Sequence, residues 1–287
     1  MIETWAGSHG SQRLVFTREP GLTVRQAAVA GSFYPLGDKE LKAAIDALIA
    51  QAEQVSQAGL AGVIAPHAGY TYSGPVAANA FAPVASCGIP FERALVIGPA
   101  HYVPLSGVAA PSSAAFATPL GQVEIDRDAI AALVKAGLVG IDDRAHAPEH
   151  ALEVELPFLQ AVLGRFSLIP LLVGDDAPEQ IAAIIDALLD DRTLLVVSTD
   201  LSHYLDHASA QKRDLATAAT IERFEFSRLG PYDACGFAAL NGALCAAHQR
   251  RWGIKRLDLR NSGDTSGDRN WVVGYGAWAF CAAPAAA

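Results

Sequence analysis

Four short stretches of this chain are apolar without interruption: GVIAP at 62–66, ALVIGP at 94–99, SLIPLLVG at 167–174 and TLLVVS at 193–198. A strand with one wet face alternates apolar and polar residues; these do not, so they predict strands buried on both faces. Between them the apolar spacing lengthens to that of a helix. Asp38 is expected to cap a helix that presents Leu41, Ile45 and Leu48 on one face, Asp126 precedes Ile130 and Leu133, and Pro178 opens EQIAAIIDALL. Strands alternating with helices predict an α/β fold with a largely parallel central sheet flanked by helices. The last run, WVVGYGAWAF, is strand-like and is expected to lie antiparallel at or near an edge.

No linker, repeat or charge block divides the middle of the chain, which predicts one domain over 27–282, with a polar arm at 1–26 and a short tail at 283–287. A composition 51% hydrophobic and 18% charged is that of a globular chain and excludes disorder for the bulk. With 21 Lys and Arg against 30 Asp and Glu, the net charge is −9, so no broad basic surface exists to neutralise nucleic-acid phosphates or anionic lipid. No run approaches the roughly 18 apolar residues of a membrane span, and the first residues lack the pattern of a secretory leader. The protein is therefore expected in the cytoplasm, without membrane or nucleic-acid partners. Cys87, Cys235, Cys245 and Cys281 form no CxxC pair, against a zinc ribbon or disulfide framework.

Polar chemistry gathers where the apolar runs end. GVIAP leads into His67, ALVIGP into His101, and TLLVVS into Asp200 and His203. In open α/β sheets the carboxyl edge of the strands is where ligands bind. His67 and His101 each follow a Pro or Gly break, about one strand-helix-strand unit apart, and are expected on adjacent loops. Neutral imidazoles placed there can supply two ligands of a catalytic metal; a turn histidine bonded to a carbonyl is the plainer alternative. In STDLSHY, Asp200 and His203 share a face if the segment turns helically and then suit acid/base or outer-shell work; otherwise Asp200 caps the next turn. AHAPEHALEVELPFLQ carries His146, Glu149, His150 and Glu153 in the order HxxEH, but Pro148 breaks the helix that an inverted zincin requires, which leaves pocket lining or capping. In YDACGFAALNGALCAAH, Cys235 is expected in a first helical turn, where the backbone dipole favours a thiolate, while Cys245 and Cys281 read as small buried residues. NSGDTSGD at 261–268 has the density of a tight loop able to bind an anion through backbone N–H groups.

AVAGSFYP, IAPHAGYTYSGPVAA, GPAHYVPLSGVA, TPLGQVEID, AHAPEHALEVELPFLQ, STDLSHY, ACG and NSGDTSGD together resemble, in this order, the Memo-like family, whose prokaryotic members are labelled AmmeMemoRadiSam system protein B. The resemblance runs from about Ala28 to Phe280 and implies a fold similar to the class III extradiol dioxygenases, non-haem iron enzymes that cleave catechol rings. It places the family's pocket histidines on His67 and His101 and its pocket cysteine on Cys235, and it matches Asp200 and His203 to an Asp-x-x-His element. The dioxygenases complete a 2-His-1-carboxylate site; a Cys235 thiolate in that place is softer and favours iron or copper, with zinc as a further option. The resemblance thus implies a metal at His67, His101 and Cys235, catalytic roles for Asp200 and His203, and a pocket that includes Tyr70, Tyr72, His146 and His150. The implied activity is redox or dioxygenase-type chemistry on a small aromatic molecule. A non-catalytic metal- or peptide-binding protein and a metal-dependent hydrolase are the alternatives, and the family label implies a link to radical SAM and AMMECR-like proteins. Ala151 and Glu155 depart from the family pattern, which has Ser and Gln at these places.

Overall fold

The structure is a computed structural model that describes residues 23–53, 57–265 and 267–282. Its strands are β1 (Val24–Arg25), β2 (Leu60–Ala65), β3 (Arg93–Pro99), β4 (Val108–Ala110), β5 (Ala115–Thr118), β6 (Gly121–Glu124), β7 (Gly140–Ile141), β8 (Ser167–Val173), β9 (Thr193–Ser198), β10 (His203–Leu205), β11 (Gly253–Asn261) and β12 (Val272–Cys281). The main sheet runs in the order β10-β12-β2-β9-β3-β8-β4-β7, with β11 also paired to β12. The four uninterrupted apolar runs are its centre: β2, β9, β3 and β8 lie side by side and parallel. Antiparallel strands extend the sheet at both wings, β12 on β2 and β4 on β8, so the sheet as a whole is mixed. The WVVGYGAWAF run is antiparallel as expected, but covered on both sides: β2 borders one edge and β11 the other, with β10 paired to Val272 and Val273 at its start.

The helices are α1 (Asp38–Gln51), α2 (Tyr70–Ser86), α3 (Arg127–Lys135), α4 (Asp143–His146), α5 (Leu156–Leu163), α6 (Pro178–Leu188), α7 (His207–Glu222), α8 (Phe237–Gln249) and α9 (Ser262–Thr265). Strands buried at consecutive positions need cover on both faces. One helical group has α2 against β2 and β12 with α1 and α5 packed on it, while α8 lies against β3 and β9 with α6 on its back. Leu41 and Ile45 of α1, Ile130 and Leu133 of α3, and Ile181, Ile184 and Ile185 of α6 are buried, as their spacing predicts. Asp126 caps α3 by accepting from the Ala129 amide, and Pro178 stands at the first position of α6, where a missing N–H costs nothing. Asp38 does not cap α1: Gly37 holds that position, and Asp38 is the first helical residue.

Val24 and Arg25, within the stretch read as an arm, pair as β1 with β5; residues 1–22 and the 283–287 tail lie outside the described residues. Arg25 is buried against Glu153, and Glu153 also accepts from the amides of Ala28 (2.7 Å) and Val29 (3.0 Å) and from the Tyr34 hydroxyl. Arg25 further donates to the carbonyls of His146 and Glu149. One buried carboxylate and one guanidinium thus fasten the AVAGSFYP segment to the loop that carries His150. Among the described residues no helix is long and apolar enough to cross a membrane.

Candidate metal centre

β2 and β3 flank β9, so His67 and His101, just beyond their carboxyl ends, are separated by a strand and do not follow neighbouring ones. Their rings nevertheless approach to 5.2 Å between centroids, meeting edge to face. His150 joins them, 5.4 Å from His67 and 4.7 Å from His101. One ring nitrogen from each of His67, His101 and His150 falls within 4.8 Å of the other two, a grouping that can hold a metal ion.

Each imidazole is oriented from behind. His67 is buried, and its Nδ1 lies 2.7 Å from the Ser198 hydroxyl at the end of β9, which leaves Nε2 as the ligating nitrogen. His101 Nδ1 lies 2.9 Å from Glu149 Oε1, and Glu149 also accepts from the amides of His101, His150 and Ala151. Burial raises the Glu149 carboxyl, yet these hydrogen bonds, led by the His101 side chain, hold it below its ordinary range. His150 Nδ1 is 3.3 Å from the Tyr102 hydroxyl, and its ring packs 4.8 Å from that of Phe33. Burial drives His67 well below the usual histidine value, helped by the neighbouring imidazoles, and drives His150 to about 4. Near neutral pH both therefore present lone pairs.

Cys235 approaches this group at His67. Its Sγ is 3.3 Å from His67 Nε2 and accepts from the Asp200 amide at 3.3 Å. The close approach requires glycine next door: a Cβ on Gly236 would stand 2.8 Å from the Ser198 carbonyl oxygen and from Thr199 Cβ. Cys235 does not occupy a first helical turn, because α8 begins at Phe237 with Gly236 as its cap. The dipole argument for a thiolate falls with that position. Burial, followed by the Asp200 carboxylate, pushes the thiol up to about 12.

Asp200 and His203 are not on a helical turn: residues 199–202 are irregular and His203 opens β10. Asp200 caps no turn; its Oδ1 accepts from the His67 amide at 2.9 Å. Burial raises its carboxyl to about 7, against the pull of that amide. His203 Nδ1 lies 2.8 Å from the Leu201 carbonyl, so Nε2 is left as an acceptor. Both line a cavity of about 540 Å³ with His150, Phe33, Tyr72, Tyr204, Trp271 and Tyr275. Tyr70 is not in that lining: it is the first residue of α2, with its hydroxyl donating to the Val154 carbonyl at 2.8 Å. His146 is also elsewhere, buried with Nε2 3.0 Å from the Ala109 carbonyl, which separates it from His150 and disposes of the zincin-like helix. NSGDTSGD closes on itself: Asp264 accepts from the Asn261 amide and pairs with His207, and Asn261 accepts from the Gly263 amide. The amides of Asn261, Gly263 and Gly267 are occupied within the loop, which contributes Ser262, Gly267 and Asp268 to the cavity wall.

Behind the histidines, Glu155 is buried, with Oε1 3.0 Å from Ser198 Oγ and Oε2 without a partner. Burial raises its carboxyl well above the ordinary range, so it stays neutral. The single Ser198 proton serves the Ala151 carbonyl at 2.7 Å, and a protonated Glu155 can donate to the same hydroxyl. A neutral Glu can thus donate toward Ser198, as the Gln expected there would.

The family model for Memo-like protein matches residues 25–279. The chain belongs to the Memo-like family. Among its Memo-like relatives, the MEMO1 family protein of Methanopyrus kandleri is 37% identical over 89% of this chain and 98% of its own length. Those of Thermotoga neapolitana and Nitrosopumilus maritimus are 34% and 31% identical, covering 88% and 90% of this chain and 98% and 99% of their own. The Memo-like match spans the elements that carry His67, His101, His150, Asp200, His203 and Cys235. Sequence reasoning placed His150 among the pocket residues but not among the donors; its signal was weak because the strand-end rule that exposes His67 and His101 does not apply to a loop following a short helix.

Proposed function

We propose that the protein holds one transition-metal ion at His67 and His101 and uses it for redox or dioxygenase-type chemistry on a small aromatic molecule. The observation that carries this reading is the convergence of His67 and His101, at the carboxyl edge of the parallel strands, with His150, which lines a cavity large enough for one ring. The donors fit a metal: His67 and His150 are neutral imidazoles, and the nitrogens of His67 and His101 facing away from the site are held by Ser198 and Glu149. The third donor is Cys235, whose sulfur already touches the ligating nitrogen of His67. His150 is the second candidate, favoured by its place in the three-nitrogen group. A sulfur and two nitrogens suit iron or copper, and zinc is accepted by the same set.

When bound, iron or copper would supply redox chemistry with positions left open for a ligand, whereas zinc would supply a Lewis acid. The chain's own residues do the rest. His203, its Nδ1–H given to the Leu201 carbonyl, offers Nε2 to take a proton from a hydroxyl in the cavity. Asp200 holds the His67 backbone in place and presents its carboxyl to the same space. We read the setting as cytoplasmic, where four unpaired cysteines stay reduced.

Cobalt(II) titration tests the donor set. A sulfur-to-cobalt charge-transfer band that disappears in Cys235→Ser supports Cys235, while a band-free spectrum lost in His150→Ala assigns the place to His150. Oxygen uptake with a catechol panel, abolished in His203→Ala, supports the enzyme. Metal and ligand binding without oxygen uptake or any turnover overturns the enzyme reading in favour of a binding protein.

A further inference from the structure

The cavity beside His150 and His203 is rich in aromatic side chains. Phe33, Tyr72, Tyr204, Trp271 and Tyr275 supply aromatic surface, and among the described residues the lining contains Asp200 and Asp268 but neither Lys nor Arg. Three of those rings stay in reach of solvent: Trp271 is 71% exposed, Tyr204 69% and Tyr72 43%. Large aromatic rings gathered at the rim of a cavity, where they gain nothing from the core, mark a surface kept for a partner. Tyr204 is moreover held at φ +57°, a backbone region that disfavours a bulky side chain and that tends to persist where function over-determines it.

The electrostatics select the partner. A phosphate or carboxylate entering here would lose hydration and find carboxylates in place of a guanidinium or ammonium. Arg269, next in sequence to Asp268, is not part of the lining. The faces of Trp, Tyr and Phe carry negative charge density, and with carboxylates beside them they make a recognised setting for alkylammonium and aromatic ammonium ions.

We propose that the cavity beside His150 and His203 takes an organic cation, an aromatic or alkyl ammonium whose body lies on Trp271, Tyr204, Tyr72 and Phe33 and whose charge faces Asp268. The inference rests on the reading that this cavity holds the ligand of the metal-capable site and names that ligand's class. It excludes anions from this cavity.

The test is calorimetric titration of the whole protein, before and after zinc loading, with 2-phenylethylamine, 2-phenylethanol and phenylacetate, which share a ring and differ in charge. The expected order is amine tightest, on the order of tenfold over the alcohol, with phenylacetate weaker than the alcohol. Asp268→Asn should weaken the amine about threefold and leave the alcohol unchanged, as suits a partly solvated charge. Trp271→Ala should weaken both, and Trp271→Phe should restore most of the loss; both sites are exposed, so folding is not at stake. The alcohol matching the amine, phenylacetate binding tightest, or no member binding overturns the proposal. Metal content measured on the same samples keeps the two readings apart: Asp268→Asn and Trp271→Ala leave it unchanged, and the charge order is read whether or not metal is held.

Discussion

The Ser198 hydroxyl, at the carboxyl end of the strand lying between those that deliver His67 and His101, stands 2.7 Å from His67 Nδ1. Ser198 spends its proton on the Ala151 carbonyl and so acts as an acceptor toward the imidazole, which fixes the tautomer with Nε2 free. Ser198→Ala removes that acceptor without changing any residue that would touch a metal. Zinc affinity, measured by chelator competition, should fall about 10- to 100-fold. Stability should fall by about 1–3 kcal/mol, because His67 and Glu155 lose a buried partner.

Glu155 yields a stabilising substitution. Its carboxyl is neutral in the folded protein because burial raises it, so folding at neutral pH takes up a proton that the unfolded chain has released. Stability from such a group is present below the ordinary carboxylate range and is lost as pH rises above it. Glu155→Gln keeps the donor toward Ser198 and removes the proton uptake. Thermal melts should show a gain of roughly 1–3 kcal/mol at pH 7 that fades toward pH 4.

The Arg25 to Glu153 pair has the opposite sensitivity. Both side chains are buried, and Glu153 also collects the amides of Ala28 and Val29. Arg25→Met leaves the carboxylate without its charge partner and releases the His146 and Glu149 carbonyls. Chemical denaturation should report a loss of about 3–5 kcal/mol. Metal affinity should drop with it, since the loop bearing Glu149 and His150 loses its anchor.

His146 separates burial from metal binding. Burial holds it at about 4, against an ordinary value of 6.5, and it donates to the Ala109 carbonyl. As pH falls from about 6.5 the unfolded chain binds a proton that the folded one refuses, so this residue's contribution to stability is present above 6.5 and is lost toward pH 4. His146→Gln can donate to the same carbonyl and does not titrate. The stability difference between wild type and variant should therefore shift against wild type by about 3 kcal/mol over that window, with metal content unchanged.

The parts of this architecture that rest on local pattern were legible in the sequence. Four unbroken apolar runs identify the parallel centre, because only strands covered on both faces can bury every residue, and His67, His101 and Asp200 follow from their ends. What local pattern could not carry was strand order. The insertion of β9 between β2 and β3 puts Ser198 behind His67, a relation between residues 131 positions apart. The same holds for Arg25 and Glu153, 128 positions apart, which turn the end of an apparent arm into a strand. Cys235, expected in a first helical turn, lies two residues before the helix, because the close packing of Gly236 on the end of β9 delays its start to Phe237.

Metal bound per chain, by mass spectrometry after anaerobic purification and reconstitution, tests the central claim most directly. Wild type should hold close to one iron or copper ion, His67→Ala and His101→Ala should lose it more than tenfold, and His146→Gln should keep it. Wild type that stays metal-free after reconstitution, or His67→Ala that retains the full amount, would contradict the account.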